Sequence, residues 1–585
     1  MCTHKHDFST EGVYMRIEYL SVQNFRGIRC ANIDFSKIGR AICIIGAGDS
    51  TKSTILNAIW YALYPSYGLY LNDSDFYNNS IESPIVIEIT VSEICDDLLV
   101  EDKFGLCIRG NILEQDDEPK ADDLPKLTIR LSIDKTLEPK WEVVCNRKEP
   151  KIISHLDRRR LSVGMIGASY SNDLTWSRNS VLNRFCDAKA ATREIIATAQ
   201  RAAAEGAVIP EDMHAATIAI TEAAKTYGVL LSNEIKSQLM YGATYSAGSI
   251  GIFDGTTPLV MKGLGSQRLL SIGLNAASDA SSSLILIDEI ESGLEPYRLC
   301  SLINTLKLKK CSVGQIIFST HSSVAVATCD AKELMIVRSQ DGVTEALVPI
   351  FDNSRLDNDI QAFIRKRPEA MLSRRIIVCE GKTEYGFMYA IDDFLESNNL
   401  PRFVGCGVSW VYGEGSCQYD IAKTLNFLGF QVAVFCDSDR PEDAVKIEQL
   451  KAAGICFFQW EVGQSIETQI FQDSNLHTTN ELILAMIRSE RISSSAAYVR
   501  VCEGVFSILF PTQVYDSTIP LTVTNAIAGA NDKIAIMAKA NSWIKNITAG
   551  REFGHVVMRN ISKFDQQSGT RKLLRNMWKW VKKYD

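Results

Sequence analysis

Nothing in this sequence provides for a membrane span, a secretory route or a uniformly basic surface. It has no run of about twenty apolar residues, the length a bilayer-crossing helix needs. No basic, apolar and small-residue signal pattern opens it. Its sixteen cysteines include no Cys-x-x-Cys pair, and Cys43, Cys379 and Cys436 lie inside apolar runs. They read as buried thiols in a reducing, cytoplasmic setting. The net charge of −8 excludes a uniformly basic nucleic-acid binder but leaves a local basic groove open. What is present is ordinary for a soluble protein, with 46% hydrophobic and 23% charged residues, and 585 residues suit roughly three or four domains. The polar stretch 1–14, with His4 and His6, reads as a disordered leader, a metal-binding tract being the other reading.

Two apolar runs end abruptly in acids. The run 374–379 stops at Glu380-Gly381-Lys382-Thr383-Glu384, and the run 431–436 stops at Asp437-Ser438-Asp439. This pattern predicts two buried strands delivering carboxylates to loops, with Asp437 and Asp439 on one side because side chains alternate along an extended segment. Side by side, such strands gather Glu380, Glu384, Asp437 and Asp439. Four carboxylates that close repel one another unless a hard divalent cation sits among them, and oxygen-only ligation favours Mg2+ or Mn2+. Helical periodicity over 387–395 and through Ile421, Leu425 and Leu428, with a further strand over 455–460, predicts a small parallel sheet with ligands at its carboxyl edge.

Upstream, the alternating run 15–24 breaks at Phe25-Arg26-Gly27. The apolar run 40–45 then leads into Gly46-Ala47-Gly48-Asp49-Ser50-Thr51-Lys52-Ser53-Thr54 and a helical pattern through Ile55, Ile59 and Leu63. Strand, glycine-containing loop and helix in that order form a phosphate cradle. Its N–H groups hold phosphates, Lys52 reaches the outer ones and Ser53 ligates Mg2+. Thr51 stands where a glycine usually precedes the lysine, and a β-branched residue lacks the backbone freedom that position often uses. A slow or weak cradle is expected. Next come Gly263-Leu264-Gly265-Ser266-Gln267-Arg268, entering a helix, and the run 282–287, ending in Asp288-Glu289. There the Asp would support Mg2+ and the Glu would polarise an attacking water. Ser292-Gly293-Leu294-Glu295-Pro296 follows, and then a strand with His321 at its tip. Asp75, in the 73–77 segment, is the candidate for the Q-loop position of the ATPases that this part of the chain resembles. Strands are predicted over 85–91 and 127–133, around an acidic loop at 114–123. The alanine-rich stretch 186–236 reads as a projecting helical arm or as a helical layer over the sheet, and 341–368 as an irregular passage.

Cradle, signature, acid-ended strand, D-loop and histidine occur in the order that resembles ABC-type ATPases, the signature being closer to the RecF and OLD branch than to transporters. Glu380-Gly381-Lys382-Thr383-Glu384 with Asp437-Ser438-Asp439 resembles the Toprim domain. Ser465-Ile466-Glu467 resembles a later acidic position of OLD Toprim domains, and Ser542-Trp543-Ile544-Lys545 resembles the Trp-Phe-Lys element of OLD nucleases. Together the chain resembles the OLD (overcoming lysogenization defect) family of ATP-dependent nucleases, which includes nucleases of Gabija-type and retron-associated anti-phage systems. The resemblance implies an α/β protein: an ABC/RecF-like ATPase domain (15–185 and 237–350) with a helical dimerisation arm (186–236), a linker (351–373), a Toprim domain (374–480) and a helical C-terminal region (481–585). It implies ATP with Mg2+ at Gly46, Gly48, Asp49, Ser50, Lys52, Ser53, Thr54, Asp288 and His321, with Gly265, Ser266 and Gln267 reaching ATP held by a second subunit. It further implies a two-metal DNA endonuclease that uses Glu380, Glu384, Asp437, Asp439, Glu467 and Lys545. The implied partners are DNA, a homodimer or higher homo-oligomer, and a helicase or a retron reverse transcriptase with its RNA–DNA. A RecF-like DNA-binding ATPase whose Toprim fold is a non-catalytic docking module is the second reading. The closing segment 571–583, basic with Trp578 and Trp580, reads as an amphipathic helix or as a nucleic-acid contact.

Overall fold

A computed structural model describes residues 15–582 except 67, 111–116, 122, 162, 168–173, 177–181, 183–210, 240–249, 278–283, 311–313, 350–353, 416, 494 and 525–528. The chain divides between Leu372 and Ser373 into two compact units. The expected leader and residues 186–210 of the expected arm lie outside the described residues.

The first unit is built on a mixed sheet of twelve described strands. In spatial order they are Lys151–Ile152, Pro139–Val144, Lys126–Ile133, Ile85–Ser92, Arg16–Phe25, Ile28–Asp34, Val343–Leu347, Leu334–Gln340, Ala41–Ile45, Gln315–Ser319, Leu284–Ile287 and Val163–Ile166. The first six pair antiparallel. The last five pair parallel, and Ala41–Ile45, Gln315–Ser319 and Leu284–Ile287 are buried throughout, as strands covered on both faces must be. Three adjacent parallel strands therefore end together, at the edge where open α/β sheets place ligands.

One expectation is revised here. The segment 341–368 is not an irregular passage: it holds the strand Val343–Leu347, which pairs with both Leu334–Gln340 and Ile28–Asp34, and the helix Ser354–Lys366. Hydrophobic alternation is too short there to announce itself. Within the 186–236 stretch, Glu211–Thr226 is helical and packs on the helix Leu264–Ala277, with Tyr227 against Gly273, as a layer would.

The second unit has a four-stranded, wholly parallel sheet in the order Val408–Tyr412, Arg375–Cys379, Gln431–Cys436 and Cys456–Gln459. Its core is continuous from Ile377 to Val581, so the helices after 480 form one body with the sheet. The terminal helix Gly569–Lys582 buries Leu573, Met577 and Val581, Phe403 stacks on Trp578, and Phe458 meets Trp580 edge-on. That favours the amphipathic-helix reading of this segment.

One contact inside this unit positions everything else. Helix Lys382–Ser397 touches helix Ile547–Arg559 backbone to backbone. A Cβ on Gly386 would lie 2.2 Å from the Ile547 carbonyl oxygen, and one on Gly550 would lie 2.5 Å from that of Thr383. Neither backbone can give way, so both positions require glycine. We predict that Gly386→Ala destabilises the chain by ~1–3 kcal/mol, the usual cost of overpacking, whereas Gly39→Ala, with nothing within 4 Å of the added carbon, leaves the urea-unfolding midpoint almost unchanged. Equal midpoints for the two variants would contradict the close contact.

Candidate functional site

In the first unit the strand Ala41–Ile45 opens into the loop 46–51 and the helix Lys52–Ala62. Gly46 is required by close approach, since a Cβ would sit 2.3 Å from the Val337 carbonyl oxygen. Thr51, flagged as unusual in the sequence, adopts the left-handed conformation, φ 64° and ψ 16°. Its Oγ1 bonds the Ser50 carbonyl (2.7 Å) and Thr344 Oγ1 (2.9 Å). Its methyl carbon lies 3.2 Å from where a Cβ on Gly27 would stand. Lys52 is buried, and its Nζ donates to the carbonyls of Ala47 (2.7 Å) and Gly46 (3.1 Å). Burial pulls its pKa down to about 8 against the opposing pull of Asp288, Asp49, Glu291 and Glu289.

The neighbouring strand ends complete this site. Ser53 Oγ donates to Asp288 Oδ1 at 2.9 Å, and Ser319 Oγ donates to the same oxygen at 2.6 Å. Hydroxyl and carboxylate stand together as Mg2+ ligands would. Glu289 is exposed with φ 49°, a strained turn of the kind found at functional positions. His321 is exposed, and its N–H donates to Glu291 Oε1 at 2.6 Å while Thr320 Oγ1 donates to Glu291 Oε2 at 2.6 Å. Glu291 thus fixes the histidine loop, a role the sequence reading missed because its only signal was a carboxylate three residues after Asp288. Arg268, fully buried, likewise donates to the Asp288 and Glu289 carbonyls.

Three expected residues have partners within this unit. Gln267 is buried, and its Nε2 donates to the carbonyls of Val260 (2.8 Å) and Lys262 (2.7 Å), closing its own turn. Gly265 faces Gly293: a Cβ there would be 2.3 Å from the Gly293 carbonyl oxygen, so the two glycine-containing turns meet within this chain. Ser266, next to it, is half-buried. Asp75 is buried and pairs with Arg26 (2.8 Å), pinning the 25–27 turn that leans on Thr51. It is a brace.

In the second unit, Glu380 and Asp437 follow adjacent parallel strands, and the Asp437 N–H donates to Glu380 Oε2 at 3.1 Å. Glu384 lies on the first turn of Lys382–Ser397, buried, accepting the Gly381 N–H at 2.9 Å. Glu467, wholly buried on helix Ile466–Asp473, takes a 2.8 Å hydrogen bond from Ser465 Oγ through Oε2, while its Oε1 accepts none. Lys545 Nζ stands 3.9 Å from that oxygen. Burial, then Glu467, push Glu384 up to about 7, beyond what Lys545 offsets. Burial, then Glu384, Glu467 and Glu380, hold Asp437 well above the usual carboxylate range. Burial opposes ionisation of Lys545, but Glu467, Glu384, Asp437 and Glu380 raise it above the ordinary lysine value.

The two aspartates follow a strand that ends at Cys436, and they have different partners. Asp437 Oδ1 accepts the Ile466 N–H (2.9 Å), whereas Asp439 Oδ2 meets Lys539 Nζ at 2.5 Å. Lys539 and Arg440, the latter 3.5 Å from Glu380 Oε1, escaped the sequence reading, since neither is marked by a motif. Among the described residues no three His, Cys, Asp or Glu side chains stand in a ready ligand group. In charge and donor type they nonetheless fit a hard cation: oxygen-only, crowded, buried, with one carboxylate oxygen accepting nothing. No helix among the described residues is long and apolar enough to cross a membrane.

Comparison with known proteins adds the following. A family model described as an AAA ATPase domain matches residues 15–163, and one described as an AAA domain, putative AbiEii toxin, Type IV TA system, matches residues 253–327. The first contains the phosphate loop, and the second spans Gly265, Asp288, Glu289 and His321. The Old nuclease of Escherichia phage P2 is 26% identical over 194 residues, which cover 30% of this chain and 33% of that protein. The match therefore spans about a third of that relative's length. Among solved structures, the SMC head domain from Thermotoga maritima is 15% identical with a TM-score of 0.29, covering 57% of this chain and 100% of that one. The Smc head domain with an extended coiled coil bound to the C-terminal domain of ScpA, derived from Pyrococcus furiosus, is 14% identical with a TM-score of 0.38, covering 60% and 100%.

The raised carboxylates set a pH dependence. Glu384 titrates about 7 in the folded chain against 4.5 ordinarily, so the native state binds more protons between those values. The stability this group contributes is present in full below its unfolded value and lost as pH rises through 7. The cation-free chain should lose thermal stability from about pH 5 to about pH 8 by this linkage, and Glu384→Gln should flatten that slope. A slope unchanged by the substitution would contradict it.

Proposed function

We propose that this chain is an ATP-binding, ATP-regulated, metal-dependent DNA endonuclease of the OLD type. Its second unit would be a Toprim domain, working in anti-phage defence as a homo-oligomer, alone or beside a helicase or a retron reverse transcriptase. The observation that carries the reading is the sheet edge of the second unit, where Glu380, Glu384, Asp437 and Glu467 are driven together against Lys545. Buried like charges are costly, and a fold that needs only a docking surface has no use for them. The Old nuclease match supports the same class.

Glu380, Glu384, Asp437, Asp439 and Glu467 would hold Mg2+ or Mn2+. The bound cations would lower the pKa of an attacking water and stabilise charge on the leaving 3′ oxygen. Ser465 and the Ile466 N–H aim Glu467 and Asp437 inward. Lys545, kept protonated by its carboxylate neighbours, neutralises charge gathering on the phosphorus oxygens in the transition state. In the first unit, Lys52, now on the Gly46 and Ala47 carbonyls, would turn to phosphate oxygens, and Ser53 and Asp288 would hold Mg2+. Glu289 orients water and His321 senses the outer phosphate.

Supercoiled, linear and single-stranded DNA, incubated with the purified chain and Mg2+ or Mn2+, with and without ATP, test this. Metal-dependent cutting is expected, falling at least ~100-fold in Glu380→Ala or Asp437→Ala while the variants still fold cooperatively. A folded variant that cuts at the full rate ends the assignment. Lys52→Ala should change the response to ATP while leaving ATP-free cutting near wild type; an ATP response identical to wild type would refute the regulatory role.

A further inference from the structure

Lys539 closes the helix Ala530–Ala540, and three residues later Ser542 takes φ 57°, turning the chain back so that Lys545 faces the carboxylates too. Trp543, buried against Gly504, anchors that turn. One turn thus aims two lysines at one acid set, from the C-terminal side of a helix. The two differ in setting. Lys545 sits among buried carboxylates, whereas Lys539 pairs at 2.5 Å with Asp439, the outermost acid, and both partners keep solvent access. Arg440, half-exposed, repeats this on Glu380 at 3.5 Å.

Charge decides what this arrangement permits. With all groups ionised, the five carboxylates Glu380, Glu384, Asp437, Asp439 and Glu467 against Lys539, Arg440 and Lys545 leave two negative charges. One divalent cation would cancel them. Were Lys539 and Arg440 to leave, four negative charges would remain, enough for two divalent cations. Lys539 and Arg440, which both reach solvent, and a second cation therefore compete for the same acids, and whatever draws the basic groups away favours full loading. A DNA phosphate, itself an anion arriving at this rim, would do so.

We propose, building on the nuclease reading, that Lys539 and Arg440 are counterions of the cation-free site that become DNA-phosphate ligands when divalent cations take Asp439 and Glu380. Lys539 and Arg440 are then specific exchange residues, coupling DNA arrival to metal loading without any change of fold. On the basic side both pairs reach solvent, Lys539 at 36% and Arg440 at 50% side-chain exposure, so trimming either basic side chain should leave folding intact.

Two measurements on the full chain, neither using cleavage, test this. Calorimetric titration with Mn2+ in the absence of DNA should show Lys539→Gln binding several-fold tighter than wild type, the competing ammonium being gone. Anisotropy of a labelled linear duplex in EDTA, over a salt series, should show Asp439→Asn binding tighter than wild type, with a salt slope steeper by roughly one. Adding Lys539→Gln to Asp439→Asn should remove both gains, and adding Lys539→Arg should retain them. Weaker Mn2+ binding by Lys539→Gln, or an Asp439→Asn slope equal to wild type in a protein that binds DNA, overturns this exchange while leaving the nuclease reading standing. A wild-type chain that binds no DNA with or without Mn2+ overturns both.

Discussion

Lys545 reaches the carboxylates only because two helices touch through glycine. Gly386 and Gly550 let Lys382–Ser397 and Ile547–Arg559 meet at backbone distance, and the Thr383 hydroxyl donates to the Ile544 carbonyl at 2.8 Å across that seam. Glu384 lies one residue from Thr383, and Lys545 one residue from Ile544. Any side chain at either glycine would pry acid and base apart by the width of a methyl group. The seam therefore fixes the electrostatics of the site, not merely its stability: the lysine stays charged by its proximity to acids that its own charge helps to ionise.

Around that seam the acids are graded by depth. Glu467 and Glu384 are buried and aimed by Ser465 and the Gly381 N–H, Asp437 is held by the Ile466 N–H, and Asp439 faces outward onto Lys539. Depth decides cost. The inner carboxylates cannot trade partners without moving the backbone groups that hold them, whereas the outer ion pairs sit where water screens the attraction and exchange is inexpensive. A rigid interior with an exchangeable rim is the arrangement expected where a cation must enter but its ligands must not wander.

Legibility in the sequence followed locality. The acid-ended strands, the phosphate loop and the strand ending in Asp288 were readable because each signal is contained in about ten residues and repeats a simple period. Glu291, Arg268, Lys539 and Arg440 were not. Each acts through a partner that only the fold supplies: Glu291 through the His321 amide, Arg268 through carbonyls twenty residues on, and Lys539 through an aspartate a hundred residues earlier. Lys545 could be placed only by resemblance, since no periodicity marks it. Alternation has no hold on Asp437 and Asp439, because a period-two rule applies only while the chain stays in the strand, and the strand stops at Cys436, before either.

Thr51 shows why a departure from pattern need not mean loss. A non-glycine residue in the left-handed region costs ~1–3 kcal/mol, which is the reason to expect a weak cradle. The same residue provides something a glycine lacks: an Oγ1 bonded to the Ser50 carbonyl and to Thr344, on a strand of the same sheet, with a methyl group leaning on the Gly27 turn. Hydrogen bonds of this sort contribute ~0.5–1.5 kcal/mol each, comparable to the strain. The loop keeps the backbone geometry that a glycine would have allowed, and it is tied in place by a side chain, so its stiffness now depends on Thr344. The threonine converts a permissive joint into a braced one.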